Sequence, residues 1–402
     1  MLTKITRIVL VFVLVELFLG GGGRLTAWGP VSLRMILFSV AIALTIIHLL
    51  RGARIDTKYL QLIGVFTFML LVGVLTGLIV GADKKLMWED VKPLLFFYLL
   101  PFFAIAITKE NDLKKIGRII LFSSGIMASL FLVVLFLFLT RRIEFLDFYN
   151  LTYAKGEFFF RGEYSFFYKG FIYLCIGFLF AHLTGEKKLW WLMIILFVAI
   201  TVSFTRGLLL ALGLSYVIYY LFIKRFYVPA IIAIITCSLI VFYGKDFYAL
   251  ASTQIYNITV TEKLPEHSRF KEKLLGDREF SDNGRKHQIM QVANAATLPS
   301  TVWGHGFGTG VESRPQHMEI SYLEIFHKQG IIGIVCWAII LFSLVKSYKR
   351  LPNESVLSNA YFLGALFVFF QSLTNQYINN PIGLGMILIS IVSLDVTLKK
   401  NS

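Results

Sequence analysis

Residues 301–333 read TVWGHGFGTGVESRPQHMEISYLEIFHKQGIIG and join a long polar loop directly to an apolar segment. Glycine occupies every second position from 304 to 310, and charged residues follow before the apolar segment begins. The apolar segment, at about 320–345, is long enough to cross a bilayer core of roughly 30 Å. Glycine turns, histidine and ionisable side chains therefore meet a membrane helix here, and we expect the chemistry of the chain in this stretch.

The composition of the whole chain is that of a membrane protein. Of its 402 residues 57% are hydrophobic and 38 are phenylalanine, which is far too apolar for a soluble domain. Segments of suitable apolar length lie at 5–19, 32–50, 59–81, 93–108, 116–139, 166–183, 189–205, 207–223, 226–243, 320–345, 356–375 and 382–398. The sequence predicts an all-α polytopic membrane protein of about twelve transmembrane helices, forming one integral membrane domain over residues 1–402.

Charge is distributed unevenly between alternate loops. One set of loops and termini contains 18 basic but only six acidic residues, which accounts for most of the net charge of +15. By the positive-inside rule this set is cytoplasmic, so both termini are expected there. The two long loops, 140–165 and 244–318, then lie on the far side, where the second forms a large cap with helices at 263–275 and 285–296. This topology explains the basic balance without a nucleic-acid partner.

Several classes of function lack their sequence signals. The two halves show no matching broken helices of the transporter kind, and no glycine-rich turn leads from a strand into a nucleotide-binding helix. Cys175, Cys237 and Cys336 lie singly in apolar runs, and no histidine or acidic pair has metal-ligand spacing. We therefore expect no ATP-driven step, no cofactor and no metal. The first apolar segment has no small-residue cleavage site after it, so we expect it to be retained.

The glycine loop at 304–310 has two interpretations. Glycine permits positive φ and close backbone approach, so the N–H groups of the loop could turn toward an anion. Alternatively, the loop is a tight turn that returns the cap to the membrane. Its position on the far side makes a lipid pyrophosphate a better candidate anion than a cytoplasmic nucleotide.

A polar stripe follows the glycine loop. If the helix begins near His317, then His317, Ser321, Glu324 and Lys328 share one helical face, while Glu319 points away from it. Glu324 and Lys328 have the spacing of an ion pair. Ionisable residues inside a membrane usually line a cavity or pathway, although a purely structural ion pair has the same spacing.

Single arginines mark the far-side boundaries of several predicted helices. Guanidinium groups suit the fork-like recognition of phosphate oxygens, whereas an interfacial arginine can also snorkel with no ligand. Several arginines beside a histidine favour a pyrophosphate-lipid site. Aromatic residues between 145 and 168 are typical of an interfacial belt, and aromatic faces also bind sugar rings. The candidate arginines are Arg24, Arg34, Arg161, Arg206, Arg285 and Arg314.

Taken together, these residues resemble a known family. Thr205-Arg206-Gly207 between two spans, Ser281-Asp282-Asn283-Gly284-Arg285 in the large loop, Trp303 to Thr309, and His317 to Gly333 are similar to motifs of the bacterial O-antigen polymerase and ligase superfamily. Within it, the Wzy-type polymerases are the more similar group. A ligase carries an acid two residues before the first glycine of the closing motif, where this chain has Lys328.

The resemblance implies a membrane-embedded, GT-C-like glycosyltransferase. It would extend O-antigen polysaccharide from undecaprenyl-pyrophosphate-linked repeat units at the periplasmic face of the bacterial inner membrane, by inverting transfer, with lipid-linked glycans as donor and acceptor and a chain-length regulator protein as a further partner. His317 would act as base or orient the acceptor hydroxyl, with Glu319 and Glu324 as further catalytic candidates. Arg206 and Arg285 would hold the pyrophosphate, with Arg24, Arg34, Arg161, Arg314 and Tyr322 as further substrate-binding candidates.

Two other functions remain open from the sequence. A ligase would transfer the finished glycan to the lipid A core, and a flippase would move the lipid-linked sugar without forming a bond. The missing repeat symmetry disfavours the flippase. Sugar identity, linkage, chain length and oligomeric state have no signal in these residues.

Overall fold

A computed structural model describes residues 1–29, 31–160, 166–203, 205–241, 278–351 and 355–401. Its α-helices are α1 Leu2–Leu19, α2 Leu33–Leu50, α3 Thr57–Ile79, α4 Lys84–Leu94, α5 Leu100–Ala106, α6 Glu110–Leu139, α7 Phe145–Tyr153, α8 Ile172–Thr184, α9 Trp190–Val202, α10 Arg206–Ile218, α11 Tyr227–Val241, α12 Arg278–Ala295, α13 Leu298–Trp303, α14 Ser321–Lys349, α15 Val356–Gln371 and α16 Pro381–Asn401. The strands form two antiparallel hairpins, β1 Ala27–Trp28 with β2 Val31–Ser32, and β3 Phe158–Phe160 with β4 Phe166–Tyr168.

The predicted all-α membrane architecture is confirmed. Among the described residues, six helices are long and apolar enough to cross a membrane, namely α2, α3, α6, α14, α16 and the continuous Arg206–Ile223 segment. Helix α1 contains three charged residues, and α8, α11 and α15 are shorter apolar helices. The predicted total of about twelve spans therefore stays a prediction.

One predicted span is broken. Residues 93–108 were expected to form a single helix, but the chain passes from the end of α4 through a 3₁₀ segment, Leu95–Leu99, into the short α5. Pro93 and Pro101 lack the N–H groups that a continuous helix needs. The bend turns α4 into a separate amphipathic helix.

The chain divides into two compact units, each described by itself below. Unit 1 comprises residues 1–17, 26–119 and 283–402, and unit 2 comprises 18–25 and 120–282. In unit 1, α16 packs extensively on α15, and α14 packs on α3. The ring of Phe66 in α3 stacks on Phe97 at 4.0 Å between centroids and meets the edge of Trp337 in α14 at 5.8 Å. These buried rings fix the spacing of the helices around the site.

The helices of unit 1 have chemically different ends. At one end Lys58 Nζ lies 2.6 Å from Asp395 and 2.6 Å from the Ser347 hydroxyl, and Lys400 pairs with Glu110. These residues belong to the loops that the sequence assigns to the basic side. The opposite end contains the glycine loop, whose Phe307 N–H donates to Gly73 near the end of α3 at 2.9 Å.

Helix α14 is interrupted at Gly330. This glycine has φ 61° and ψ −157°, so Ser321–Lys349 consists of two helical pieces. A side chain at position 330 would overlap the carbonyl of Val302, and the left-handed φ also favours glycine. The break leaves carbonyl groups at the end of the first piece without helical partners. Those of His327 and Lys328 accept hydrogen bonds from the N–H groups of His305 at 2.8 Å and Gly306 at 2.9 Å.

Unit 2 contains a second glycine-rich loop, at residues 20–24. The Glu157 carboxylate is completely buried there and accepts the N–H groups of Gly22 at 2.6 Å and Arg24 at 2.9 Å. Neighbouring aromatic side chains, including Phe148, Phe158 and Phe166, pack against one another at centroid distances of 5.3 to 5.9 Å. The predicted helix at 263–275 lies outside the described residues.

Candidate active site

The ammonium group of Lys328 lies at the centre of a buried charged cluster in unit 1. Its Nζ is 2.6 Å from Asp90 Oδ1, 2.6 Å from Glu324 Oε1 and 2.7 Å from the carbonyl oxygen of Gln316. The lysine side chain is only 2% exposed. An ammonium has three hydrogens to donate, and all three have acceptors within the protein. Lys328 therefore acts as a fixed internal charge and has no N–H left for a substrate.

The Glu324–Lys328 pair is the one that helical spacing predicts, and it is observed. Both residues lie in the first piece of α14, one turn apart on its inner face. The helix itself begins at Ser321, close to the predicted start of the apolar segment at 320, so the condition that would put His317 on the same helical face is not met. His317 instead belongs to the segment that leads into α14. Ser321 faces a different neighbour, because its hydroxyl donates to the Asn375 carbonyl at 2.9 Å.

Asp90 is the residue of the cluster that the sequence did not identify. It lies in α4, where Asp90 is buried and the adjacent Glu89 is partly buried. Besides contacting Lys328, the Asp90 carboxylate accepts the Gly308 N–H at 2.8 Å. Burial raises the pKa of the Asp90 carboxyl above its usual range, although the Lys328 ammonium and the Gly308 N–H oppose that rise. Its ionised form therefore gains from any further positive charge nearby.

The glycine loop does bind an anion, but that anion is the protein's own carboxylate. The N–H groups of His305, Gly306, Phe307 and Gly308 donate to His327 O, Lys328 O, Gly73 O and Asp90 respectively. The expectation that these groups hold a lipid pyrophosphate is corrected accordingly, because each already has an acceptor. A side chain at Gly306 would also overlap the Gly77 backbone. The loop therefore fixes the broken helix and Asp90 in place.

His317 lies at the accessible edge of the cluster. Its Nδ1 is 3.3 Å from Glu324 Oε1 and 3.4 Å from Asp90 Oδ1, and its side chain is 41% exposed. The two carboxylates favour a proton on Nδ1. In that tautomer Nε2 carries the lone pair and is the nitrogen able to accept a proton from a ligand. Two buried carboxylates thus hold His317 through Nδ1, and its Nε2 is the nitrogen that can act as a base.

The loop between α15 and α16 completes the surroundings of Glu324. Gln376 Nε2 donates to Glu324 Oε2 at 2.6 Å, and Asn379 Nδ2 lies 3.5 Å from the same oxygen. Both carboxylate oxygens of Glu324 are therefore solvated by the protein. Sequence analysis missed this loop; its only signal is the group of amide side chains at 375–380.

Glu319 occupies a different position from the catalytic one expected of it. Its carboxylate accepts Arg285 Nε at 3.0 Å and Arg314 Nη2 at 2.7 Å, and its N–H donates to Gln288 Oε1 at 3.1 Å. Its carboxylate thus contacts arginines and not the Lys328 cluster. The two arginines are partly exposed, at 26% and 51% of the side chain. Glu319, two residues after His317 in the chain, therefore holds Arg285 and Arg314, which are two candidates for binding phosphate.

The remaining predicted residues are distributed over the molecule. Arg34 is buried in unit 1, where its Nε donates to Glu16 Oε2 at 2.7 Å, and Tyr322 donates its hydroxyl to the Phe369 carbonyl at 3.0 Å. These two side chains have structural contacts. Arg24 and Arg206 belong to unit 2, the second as the first residue of α10. Arg161 lies outside the described residues.

Asp90, His317 and Glu324 also have the donor types of a cation site. One donor atom from each lies within 4.8 Å of the others. However, the Lys328 ammonium already lies 2.6 Å from both Asp90 Oδ1 and Glu324 Oε1. An added cation would have to displace it, so we do not assign these residues as metal ligands.

Two comparisons with known proteins give matches to this chain. A family described as O-antigen ligase matches residues 191–338, which include Arg206, Arg285, the glycine loop, His317 and Lys328. An O-antigen polymerase of Shigella flexneri is 26% identical over 416 residues, covering 98% of this chain and 97% of the relative. The match therefore extends over both units. This chain is a multi-pass membrane protein that is similar, over these ranges, to O-antigen polymerases and ligases.

Proposed function

We propose that this protein is a glycosyltransferase that polymerises undecaprenyl-pyrophosphate-linked oligosaccharide repeat units into O-antigen polysaccharide. The relative that aligns with almost the whole chain is named an O-antigen polymerase, which supports polymerisation. A pyrophosphate is already an activated leaving group, so the reaction needs no nucleotide. Catalysis then consists of holding two lipid-linked glycans in line and stabilising the charges that develop.

The observation that carries the proposal is the position of His317. Its Nδ1 faces Glu324 and Asp90, and its side chain remains 41% exposed. A histidine oriented by a buried carboxylate is a common arrangement for a general base. In the proposed step the acceptor hydroxyl oxygen bonds to the anomeric carbon of the donor, its proton passes to His317 Nε2, and the bond from that carbon to the pyrophosphate oxygen breaks. The electron pair leaves with undecaprenyl pyrophosphate, which inverts the anomeric centre.

The arginines have the complementary role of holding the leaving group. Guanidinium groups bind pyrophosphate oxygens in pairs. Arg285 and Arg314 both contact Glu319, which lies two residues after His317 in the chain. Their side chains are partly exposed, so a phosphate could compete with the Glu319 carboxylate for them. Arg206, Arg24 and Arg161 stay predictions from the sequence. Arg34 and Tyr322 are left out because of their structural contacts.

The proposed setting is the bacterial inner membrane, with both termini cytoplasmic and His317 facing the periplasm. The ends of the unit 1 helices support this orientation: Lys58 and Lys400 lie at one end and the His317 cluster at the other. Basic residues favour the cytoplasmic side. We propose a GT-C-like arrangement of the helices, and a chain-length regulator protein as a partner for the growing polymer.

The experiment is a reconstitution of elongation. Purified protein in lipid nanodiscs is supplied with a defined lipid-linked repeat unit and no nucleotide, and products are separated by length. Wild-type protein should form a ladder, and His317→Ala should lower the rate by about 100-fold or more, since general-base catalysis contributes that much. His287→Ala, at an exposed position of α12, is the matched control with an intact rate. A fully active His317→Ala variant would show that His317 is not the general base.

A ligase is the second candidate, because the matching family is described as O-antigen ligase. The same reconstitution separates the two when lipid A core is added as an acceptor. A ligase transfers one glycan to the core without forming a ladder, whereas a polymerase forms the ladder in its absence. In cells, a polymerase deletion leaves single repeats on the core, and a ligase deletion leaves none.

A further inference from the structure

We infer that Asp90 and Lys328 are positioning residues that set the charge of the His317 base, so that the buried cluster becomes electrically neutral when His317 takes the acceptor proton. This inference rests on the proposed function, in which His317 receives that proton. Neither residue is assigned a role by the matches to known proteins. The inference for both residues rests on their charges, their burial and their distances from His317 and Glu324.

The first step is that Lys328 is a permanent cation. Three oxygen atoms accept its three N–H groups at 2.6, 2.6 and 2.7 Å, and the side chain is 2% exposed. Two of those oxygens belong to carboxylates, which stabilise the charged form. Lys328 cannot bind the substrate pyrophosphate directly. Its charge acts only on the groups around it.

The second step is the charge balance of the cluster. Two carboxylates, Asp90 and Glu324, face one ammonium, so the cluster has one net negative charge while His317 is neutral. A net charge in a site this buried is costly, because both carboxylates are only 5% exposed. Protonation of His317, whose Nδ1 is 3.4 Å from Asp90, removes that net charge. The geometry therefore places one surplus carboxylate beside the His317 ring.

The other charged groups near His317 in the chain contact partners outside the Lys328 cluster. Glu319, two residues along the chain, is held by Arg285 and Arg314. The rings of His305 and His327 face each other, with centroids 4.6 Å apart and planes tilted by 31°. Among the described residues, the Lys328 cluster is thus the group of charges in contact with His317.

The test compares pH profiles of elongation for Asp90→Asn and for the double variant Asp90→Asn/Lys328→Met. Asp90→Asn makes the cluster neutral before His317 is protonated, so the acidic limb of the profile should move to lower pH by about one unit. The plateau rate should fall roughly tenfold, because a weaker base catalyses less well. Removing Lys328 as well restores one net negative charge, so the acidic limb should return to its wild-type position and kcat should recover. KM should change little in either variant.

The recovery distinguishes charge balance from a purely structural role. If Asp90 and Lys328 served only to hold the fold, the double variant would be worse than the single one and its acidic limb would not return. If Asp90→Asn does not fold, the double variant is compared with wild type directly, and a limb displaced by about one unit overturns the inference. Asp395→Asn and Asp395→Asn/Lys58→Met, at the other end of unit 1, are the matched controls and should leave the limb in place.

The same experiment separates this inference from the proposed function. Absence of a ladder with wild-type protein contradicts the proposed function itself. A wild-type ladder whose pH profile is unchanged by Asp90→Asn retains the function and overturns the charge-balance inference. All variants are first checked for monodisperse elution and a cooperative thermal transition.

Discussion

Helix α14 contributes to two lysine–carboxylate contacts, one near each end, and they differ in burial and in charge balance. At its beginning Lys328 is enclosed by Asp90 and Glu324, all at most 5% exposed, with His317 alongside. At its end Ser347 and Asp395 share Lys58, whose side chain is 28% exposed. The Nζ–oxygen distance to each carboxylate is 2.6 Å in both places. The Lys58 contact pairs one ammonium with one carboxylate, whereas the Lys328 cluster has one ammonium and two carboxylates.

That difference separates a contact that holds helices together from one able to do proton chemistry. A balanced pair has no net charge to offer a third group. An unbalanced buried cluster stabilises a cation placed beside it, and here the neighbouring group is an accessible histidine. The predictions below test whether burial and charge surplus make the two contacts behave differently.

The largest effect on stability is expected for Lys328→Met compared with Lys58→Met. The first leaves two buried carboxylates without their cation and should lower the free energy of unfolding by about 3–5 kcal/mol. The second breaks a partly exposed pair and should cost about 1 kcal/mol or less. Thermal unfolding in one detergent measures both. Equal losses would show that burial does not distinguish the contacts.

The glycine loop that supports the Lys328 cluster should be nearly as sensitive. Gly306 and Gly81 both have positive φ, 86° and 72°, but only at Gly306 would a side chain overlap backbone, that of Gly77. Gly81→Ala should cost about 1–2 kcal/mol from backbone strain alone, and Gly306→Ala clearly more. Elongation should also fall for Gly306→Ala only. Similar behaviour of the two variants would mean that the loop does not have to approach α3 closely.

A smaller effect is expected where only one hydrogen bond of the cluster is lost. Gln376→Ala removes the donor 2.6 Å from Glu324 Oε2 and should cost about 1.5–3 kcal/mol, the usual contribution of a hydrogen bond to a charged group. Asn379→Ala is the matched control, because its amide is 3.5 Å from the same oxygen and should contribute less. Chemical or thermal unfolding ranks them, and a larger loss for Asn379→Ala would contradict the geometry.

The smallest effect is predicted on the surface of the basic end. Lys400 pairs with Glu110, but their side chains are 62% and 38% exposed. Lys400→Ala should change the free energy of unfolding by less than about 1 kcal/mol, and raising the salt concentration should reduce even that. A loss of unfolding free energy as large as that of Lys328→Met would contradict the description of the Lys400–Glu110 pair as a weak surface contact.

Much of the helical framework is predictable from apolar length alone. The segments expected at 32–50, 356–375 and 382–398 correspond to α2, α15 and α16 within a few residues. Apolar runs in a membrane must satisfy their backbone internally, which leaves the helix as the outcome. The break at Gly330 was not predicted. A glycine in an apolar segment does not by itself show that another loop will donate hydrogen bonds to the carbonyls that the break exposes.

The site was predictable only in part, for a physical reason. Glu324 and Lys328 contact each other through local helical spacing, which sequence analysis can read. Asp90 joins them from a helix 238 residues away in the chain, and no periodic pattern records that contact. The glycine loop was expected to hold a substrate anion because its N–H groups suit any anion. Its actual acceptors include Asp90 and the carbonyls of the broken helix, which only the tertiary fold brings there.

We expect glycosyl transfer to take place at the end of unit 1 that has surplus negative charge. Glu324→Gln and Asp395→Asn each remove one carboxylate from a lysine contact, so their elongation rates on a lipid-linked repeat, measured at equal folded fraction, compare the two ends directly. We predict a rate roughly tenfold lower for Glu324→Gln, as for Asp90→Asn, because His317 becomes a weaker base. We predict a rate within about twofold of wild type for Asp395→Asn. Equal rates for the two variants would contradict this prediction.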